Sequence, residues 1–238
     1  MARKRSPSPV RAEIIKATSE MFFKNGFSKT TPGDICDKVK ISTGNLTYHF
    51  PTKEHILSVI VKMMCDYQWK AMESATDEGK SSLLAYCLEL TTLVALCEEI
   101  EQMQDFLIAA YSHPMSLDVI RANDVEKIKQ VFHEYTSDWN EERFTEIEAI
   151  ISGIEYATIM NTEHSASVEY RIAGALHSIM LLFGVPEETR NMKVEKVLAM
   201  DYRAIGRKAH EDFKQYVTET NAHALDEVQQ YMKAKAKK

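Results

Sequence analysis

The stretch from Ser42 to Lys53, STGNLTYHFPTK, gathers small and medium polar side chains into one short segment. Thr43, Asn45 and Thr47 can both donate and accept hydrogen bonds. Tyr48, His49 and Lys53 add donors suited to phosphate oxygens. Gly44 has no side chain and allows a bound surface to come close to the backbone. Leu46 and Phe50 stand four apart and make one apolar side, so the polar groups fall on the others. This chemistry is recognition by hydrogen bonding, carried on an element whose back is buried.

The flanking residues show how that element is held. Ser42 reads as a helix cap, Pro51 disfavours continuation, and Thr52 reads as the cap of a longer helix over about 53–74. Upstream, Ile14, Ala17, Met21 and Phe22 recur at helical spacing between Val10 and Lys24, and Asn25-Gly26 stops that helix. Thr31-Pro32-Gly33-Asp34 opens a second helix with a threonine cap, a proline in the first turn and an acid three residues after the cap; Ile35 and Val39 give it a buried side. Three short helices, with a tight turn between the second and third, are the layout of a helix-turn-helix. The helix starts at Thr31, Ser42 and Lys53 also present unpaired N–H groups of the kind that meet phosphates.

Charge is divided along the chain in the same sense. The net charge is −6, yet residues 1–52 hold nine Lys/Arg against four Asp/Glu, a net +5, which leaves −11 on the remainder. A basic head on an acidic body implies that only the head approaches a polyanion. Six prolines and eight glycines in 238 residues, with abundant Ala, Glu, Lys, Leu and Met, favour an all-α fold of one or two domains. No apolar run reaches the roughly 20 residues that a membrane span needs. The basic start MARKRSPSPV has no apolar segment of the secretory kind. Cys36, Cys65, Cys87 and Cys97 form no paired motif, and a reduced, cytoplasmic setting is expected.

On these residues the segment from Ile14 to Leu57 resembles the DNA-binding head of TetR-family transcriptional regulators. The shared features are I-I-x-A-x-x-x-M-F-x-x-x-G-F at Ile14–Phe27, the pair Thr30-Thr31, and S-x-G-x-L-x-Y-H-F-x-x-K-E-x-I-L at Ser42–Leu57. The resemblance covers about a fifth of the chain. It implies that Thr31, Tyr48, His49 and Lys53 contact phosphates, and that Thr43, Gly44, Asn45 and Thr47 face the bases. Two positions depart from the family pattern. Lys40 stands where a turn glycine is usual, and Thr47 where an aromatic is frequent. The implied fold is an N-terminal three-helix helix-turn-helix head followed by a larger helical bundle for ligand binding and dimerisation.

That organisation gives a disordered basic arm at 1–9, a head at 10–52 with its helix-turn-helix at about 33–52, a body at 53–220 and an extension at 221–238. Body helices are expected at about 81–98, 100–112, 116–138, 142–162, 167–183, 187–199 and 202–219. Residues 146–160 and 173–183 are broadly apolar with small residues at Gly153, Ala157, Gly174 and Ala175; they suit burial within the subunit or a four-helix interface between two subunits, and the resemblance favours the interface. Residues 187–238 then exceed the usual family length. Cys87, Met103, Phe106, Tyr111, Tyr156 and Met160 are expected either as core or as lining of an effector pocket.

Other chemistries fail on spacing. SATDEGKS at 74–81 approximates a phosphate-binding loop but lacks its first glycine and carries Asp77 and Glu78. No His-Glu-x-x-His, Glu-x-x-His or Gly-x-Ser-x-Gly occurs, so no metal, no cofactor and no catalytic residues are assigned. The expected protein is a homodimeric regulator, a repressor by default, that binds palindromic double-stranded DNA and answers to a small-molecule effector of unknown identity, with no membrane partner. The rival is a helical binding protein or enzyme with a vestigial head.

Overall fold

The computed structural model describes residues 9–79 and 81–220. The expected arm, apart from Pro9, and the extension at 221–238 lie outside those residues. Among the described residues the fold is all-α, with eleven α-helices and one 3-10 turn. The head holds α1 (Pro9–Asn25), α2 (Pro32–Val39) and α3 (Thr43–His49), and α4 (Lys53–Ala75) leads into the body. There follow α5 (Leu83–Glu99), α6 (Glu101–Ser112), α7 (Pro114–Val131), the 3-10 turn His133–Tyr135, α8 (Glu141–Ile159), α9 (Val168–Leu182), α10 (Glu187–Ala199) and α11 (Tyr202–Glu219).

α5 is the axis of the body. It is apolar around its whole circumference, as LLAYCLELTTLVALC suggests, and a helix of that kind must be surrounded. Helices α4, α6, α8, α9, α10 and α11 all pack on it. Gly206 of α11 sits against Thr92, where an added Cβ would stand 3.2 Å from Thr92 Cβ and 3.3 Å from its carbonyl oxygen. The absence of a side chain there sets how closely α11 approaches α5.

Two body helices depart most from the sequence expectation. The helix read at 116–138 begins two residues earlier, with Pro114 in its first turn, and ends at Val131. Phe132 leaves helical geometry, and its ring stacks on Phe183 with centroids 3.7 Å apart. Burial of that aromatic pair outweighs continuation of the helix. Helix α8 stops at Ile159 rather than 162, and Met160 is its extended C-cap. At the α4–α5 loop, Lys193 and Lys196 of α10 take up Glu78 and Asp77 (Nζ–O 2.5–3.1 Å), so the acids in SATDEGKS anchor α10.

Helix α11 also clasps the head. It packs on α1 and α4 as well as α5. His210 meets the Phe23 ring edge-on at 5.3 Å, and Phe213 lies 5.9 Å from Phe23 and 5.6 Å from Tyr67. Burial in this aromatic setting depresses the His210 pKa to about 4, with the Lys214 charge adding to the effect. The folded value lies below the unfolded one, so its contribution is complete above the unfolded pKa and is lost as pH falls towards the folded value. Between about pH 7 and pH 4.5 that loss amounts to about 2–3 kcal/mol. Urea denaturation of wild type and His210→Phe at the two pH values checks this: the variant is expected to lose less stability on acidification by that margin.

Candidate nucleic-acid interface

The third helix is set by caps and by two buried residues. Ser42 Oγ accepts from the Asn45 amide at 3.2 Å, while Leu46 and Phe50 are buried beneath the helix. Thr43, Gly44, Asn45, Thr47 and Tyr48 are all exposed, Tyr48 at 77%. The Thr47 hydroxyl donates to the Thr43 carbonyl at 2.8 Å, which ties that hydroxyl to its own helix. Tyr48 and His49 meet edge to face at 5.1 Å. Burial, helped by the Arg11 charge, lowers the His49 pKa.

The turn before this helix keeps its geometry despite the missing glycine. Lys40 adopts φ 62°, ψ 42°, the left-handed conformation that glycine accepts most readily, and its amide bonds to the Cys36 carbonyl. The other end of α2 is a complete capping box. Thr31 Oγ1 accepts from the Asp34 amide at 3.2 Å and donates to Asp34 Oδ2 at 2.7 Å, and the Thr31 amide donates to the same carboxylate at 2.8 Å. These bonds lower the Asp34 pKa. A phosphate here must therefore compete with Asp34 for Thr31.

Lys53 has a task that its sequence position does not reveal. Its ammonium donates to the carbonyls of Phe27 (2.8 Å) and Thr30 (2.9 Å) and lies 3.9 Å from the centre of the Phe27 ring. Burial lowers its pKa. Thr52, expected to cap α4, makes no cap bond and instead meets His55 Nδ1 at 3.0 Å.

The same corner is gripped from the body. Asp105 of α6 accepts from the Ser28 amide at 2.8 Å and from the Ser28 hydroxyl. Gly26, at φ 95°, lies so close that a Cβ would stand 2.6 Å from Asp105 Oδ2. Phe106 packs against Phe22 and Phe23, and His113 against Phe27. Sequence reasoning missed Asp105, whose partner is 77 residues away. It also missed Arg11, which donates to the His49 carbonyl at 3.2 Å and lies over the Phe50 ring at 4.1 Å, steadying the end of α3.

The pocket residues expected in the body separate. Tyr111 lines a cavity among α4, α5, α6, α7 and α8, and Met103 lines a second, apolar space beside α11. Phe106 is fully buried at the head–body contact, so it is packing rather than lining. Cys87 is also fully buried and lies on neither wall. The Tyr156 ring lies 6.4 Å from that of Tyr111 and tilted to it by 44°, and Met160 is 38% exposed at the end of α8. Neither of these lines the two cavities.

A buried-backed helix with an exposed polar face, reached through a tight turn from a capped helix, defines a helix-turn-helix motif. Residues 14–60 match the family model described as bacterial regulatory proteins, tetR family. The HTH-type transcriptional regulator QacR of Staphylococcus aureus (strain Mu50 / ATCC 700699) is 33% identical over 87 residues, covering 35% of this chain and 46% of that protein. The HTH-type transcriptional repressor KstR2 of Mycolicibacterium smegmatis is 29% identical over 77 residues, 32% of this chain and 38% of its own. The chain thus spans less than half the length of these curated relatives. Among solved structures, Thermus thermophilus FadR in complex with lauroyl-CoA aligns with a TM-score of 0.49 at 14% identity, over 79% of this chain and 91% of that one. Salmonella enterica GusR aligns with a TM-score of 0.46 at 20% identity, over 77% and 98%. Residues 14–60, about a fifth of the chain, are thus similar to the DNA-binding segment of the TetR family of transcriptional regulators.

The clasp at Lys53 makes a prediction distinct from a phosphate role. Lys53→Met strands two carbonyl groups and is expected to cost about 1–3 kcal/mol in urea denaturation without DNA. A purely phosphate-binding lysine would leave that stability unchanged.

Proposed function

We propose that the chain is a homodimeric, effector-responsive repressor that reads a palindromic operator with α3. The observation that carries this reading is the exposed polar face Thr43–Gly44–Asn45–Thr47–Tyr48 set on buried Leu46 and Phe50. Asn45, Thr43 and the exposed Thr47 are suited to base edges. Tyr48 and His49 are suited to phosphates, and Thr31 and Lys53 reach phosphates only alongside their structural bonds. In this reading residues 10–52 are the reading head and 53–220 the sensing and pairing body.

The pairing surface is the outer face of α8 and α9. Ile150, Leu181 and Tyr170 are 44%, 59% and 79% exposed, and Gly153, Ala157 and Gly174 lie exposed between them. A Cβ on Gly153 or Gly174 would meet nothing within 4 Å, so neither glycine is required by packing inside the chain. A second copy laid on this face supports close helix approach and a fixed spacing of two heads. Half-sites one turn apart, roughly 34–36 Å, require such a spacing. An effector among the body helices acts on DNA through α4 and through the α6 contact at the Gly26–Thr30 corner, to the extent that it binds the two states with different affinity.

Two measurements test the reading. Binding to DNA from upstream of the coding region, followed across a salt series, is expected to weaken steeply with salt. Tyr48→Ala is expected to weaken all sequences alike, whereas Asn45→Ala changes the preferred sequence. Absence of binding at low salt sinks the DNA assignment. Sedimentation is expected to give a dimer for wild type and a monomer for Leu181→Glu with unchanged helix content; a monomeric wild type sinks the dimer.

A further inference from the structure

We propose that the lysines of residues 233–238, KAKAKK, bind DNA phosphates beside the head, as a basic arm carried on the end of α11. This rests on the reading that α3 meets DNA, and it adds a contact from a distant part of the sequence. The first observation is the order of charge along the chain. Residues 1–52 carry a net +5. Residues 53–220 hold sixteen Lys/Arg against twenty-nine Asp/Glu, a net −13. Residues 221–238 return to a net +2, with four lysines against Asp226 and Glu227, and all four lysines fall in the acid-free run Lys233–Lys238. An anionic body thus separates two cationic segments in the sequence.

The fold brings those segments to one place. Helix α11 crosses the body and finishes on the head. His210 and Phe213 meet Phe23 of α1 at 5.3 and 5.9 Å, and Lys214 and Thr218 share a cleft with Ser19, Glu20 and Lys24 of that helix. The point of exit is fixed. Val217 and Thr220 are buried, and the Thr220 amide and hydroxyl both donate to the Tyr216 carbonyl, at 2.9 and 2.7 Å. Position 221 therefore starts beside the first helix of the head. The other basic run, Arg3-Lys4-Arg5, precedes the start of that same helix at Pro9.

Reach and charge at the exit both favour DNA. Ser19 and Arg11 are separated by eight residues of helix, about 12 Å. Arg11 donates to the His49 carbonyl at the end of α3. Lys233 stands thirteen positions beyond Thr220, a span of about 20 Å whether wound as a helix or coiled at random. Either span covers the distance to α3. The cleft at the exit does not retain the lysines: Glu20 is engaged by Lys38 at 3.3 Å, and Lys24 adds a positive charge that has no ion pair among the described residues. Lysine meets phosphate as a compact point charge, and the intervening alanines offer no group that reads a base. The contact is to the DNA backbone and is independent of sequence.

The test compares full-length wild type with the combined variant Lys233→Gln, Lys235→Gln, Lys237→Gln and Lys238→Gln on DNA from upstream of the coding region, by fluorescence anisotropy across a salt series. In the variant the slope of log Kd against log salt is expected to be shallower by about 1–3 per subunit. Affinity at low salt is expected to fall at least about tenfold. The ratio of affinities for upstream and unrelated DNA should stay the same, as should helix content and urea stability without DNA. Replacing the same four lysines by arginine should preserve the wild-type slope. Wild-type affinity and slope in the glutamine variant overturn the proposal, while DNA binding by wild type leaves the reading of α3 standing. A loss of urea stability with an unchanged slope places the lysines against the anionic body and likewise overturns it. A changed sequence preference overturns the assignment to phosphates. Absence of wild-type binding at low salt sinks the DNA reading and the arm with it.

Discussion

Two side chains of opposite charge hold one corner of the chain, and the placement of the head follows from them. At Gly26–Thr30, Lys53 takes the carbonyl oxygens and Asp105 takes the Ser28 amide and hydroxyl. The corner joins α1 to α2, Lys53 opens α4, and Asp105 lies in the middle of α6. Three elements are therefore tied through the backbone of five residues. Charge-assisted bonds to backbone groups are stronger than neutral ones, and the glycine at φ 95° lets the corner come close enough for Asp105 to reach it. The aromatic residues around it, Phe22, Phe23, Phe27 and Phe106, exclude water from one side. A displacement of α4 or α6 is consequently felt by α1 and α2 without any intervening flexible linker.

The final two helices of the described chain add a second tie. α10 is fastened to the α4–α5 loop by Lys193 and Lys196, and α11 lies across α1, α4 and α5. Arg203 and Arg207 of α11 both reach Glu99 at the end of α5 (2.9 Å each). Such partly exposed ion pairs contribute little individually. The Phe23–His210–Phe213 contact and the close approach at Gly206 supply the apolar packing that holds α11 in place. Helix α11 thus bears on α1 and α4, which the corner clasp also joins.

The polar content of the body lies on its inside as well as its surface. Glu89, Glu148, Glu155 and Lys127 are all buried, and burial raises the pKa of each of the three acids, Glu148 to about 8. A core assembled only for stability has little use for such groups, since desolvating them is unfavourable unless they are paired. Among the described residues Glu89 is paired with Lys127, whereas Glu148 has Arg121, with Nε 3.5 Å away, and Glu155 a tyrosine hydroxyl. Their placement on the inner sides of α5, α7 and α8 gives the body a chemical character that its net negative charge alone does not convey.

The sequence by itself determined the head and the class of the fold, because those depend on local chemistry. Caps at Thr31 and Ser42, the stop at Gly26, and Leu46 and Phe50 on one side of α3 act within a few residues of where they stand in the chain. Helix periodicity located the body helices for the same reason. It missed the end of α7, where Phe132 answers to Phe183, 51 residues later, rather than to its own helix. The Lys53 and Asp105 clasp, the role of α11 and the grouping of Tyr86, Tyr111 and Glu155 were decided only by tertiary structure. In each case the partners come from different helices, and no spacing along one helix encodes which side chain of another will face it. Cys87 and Phe106 show the converse: an apolar residue in a body helix reads equally well as core or pocket wall until the neighbouring helices are in place.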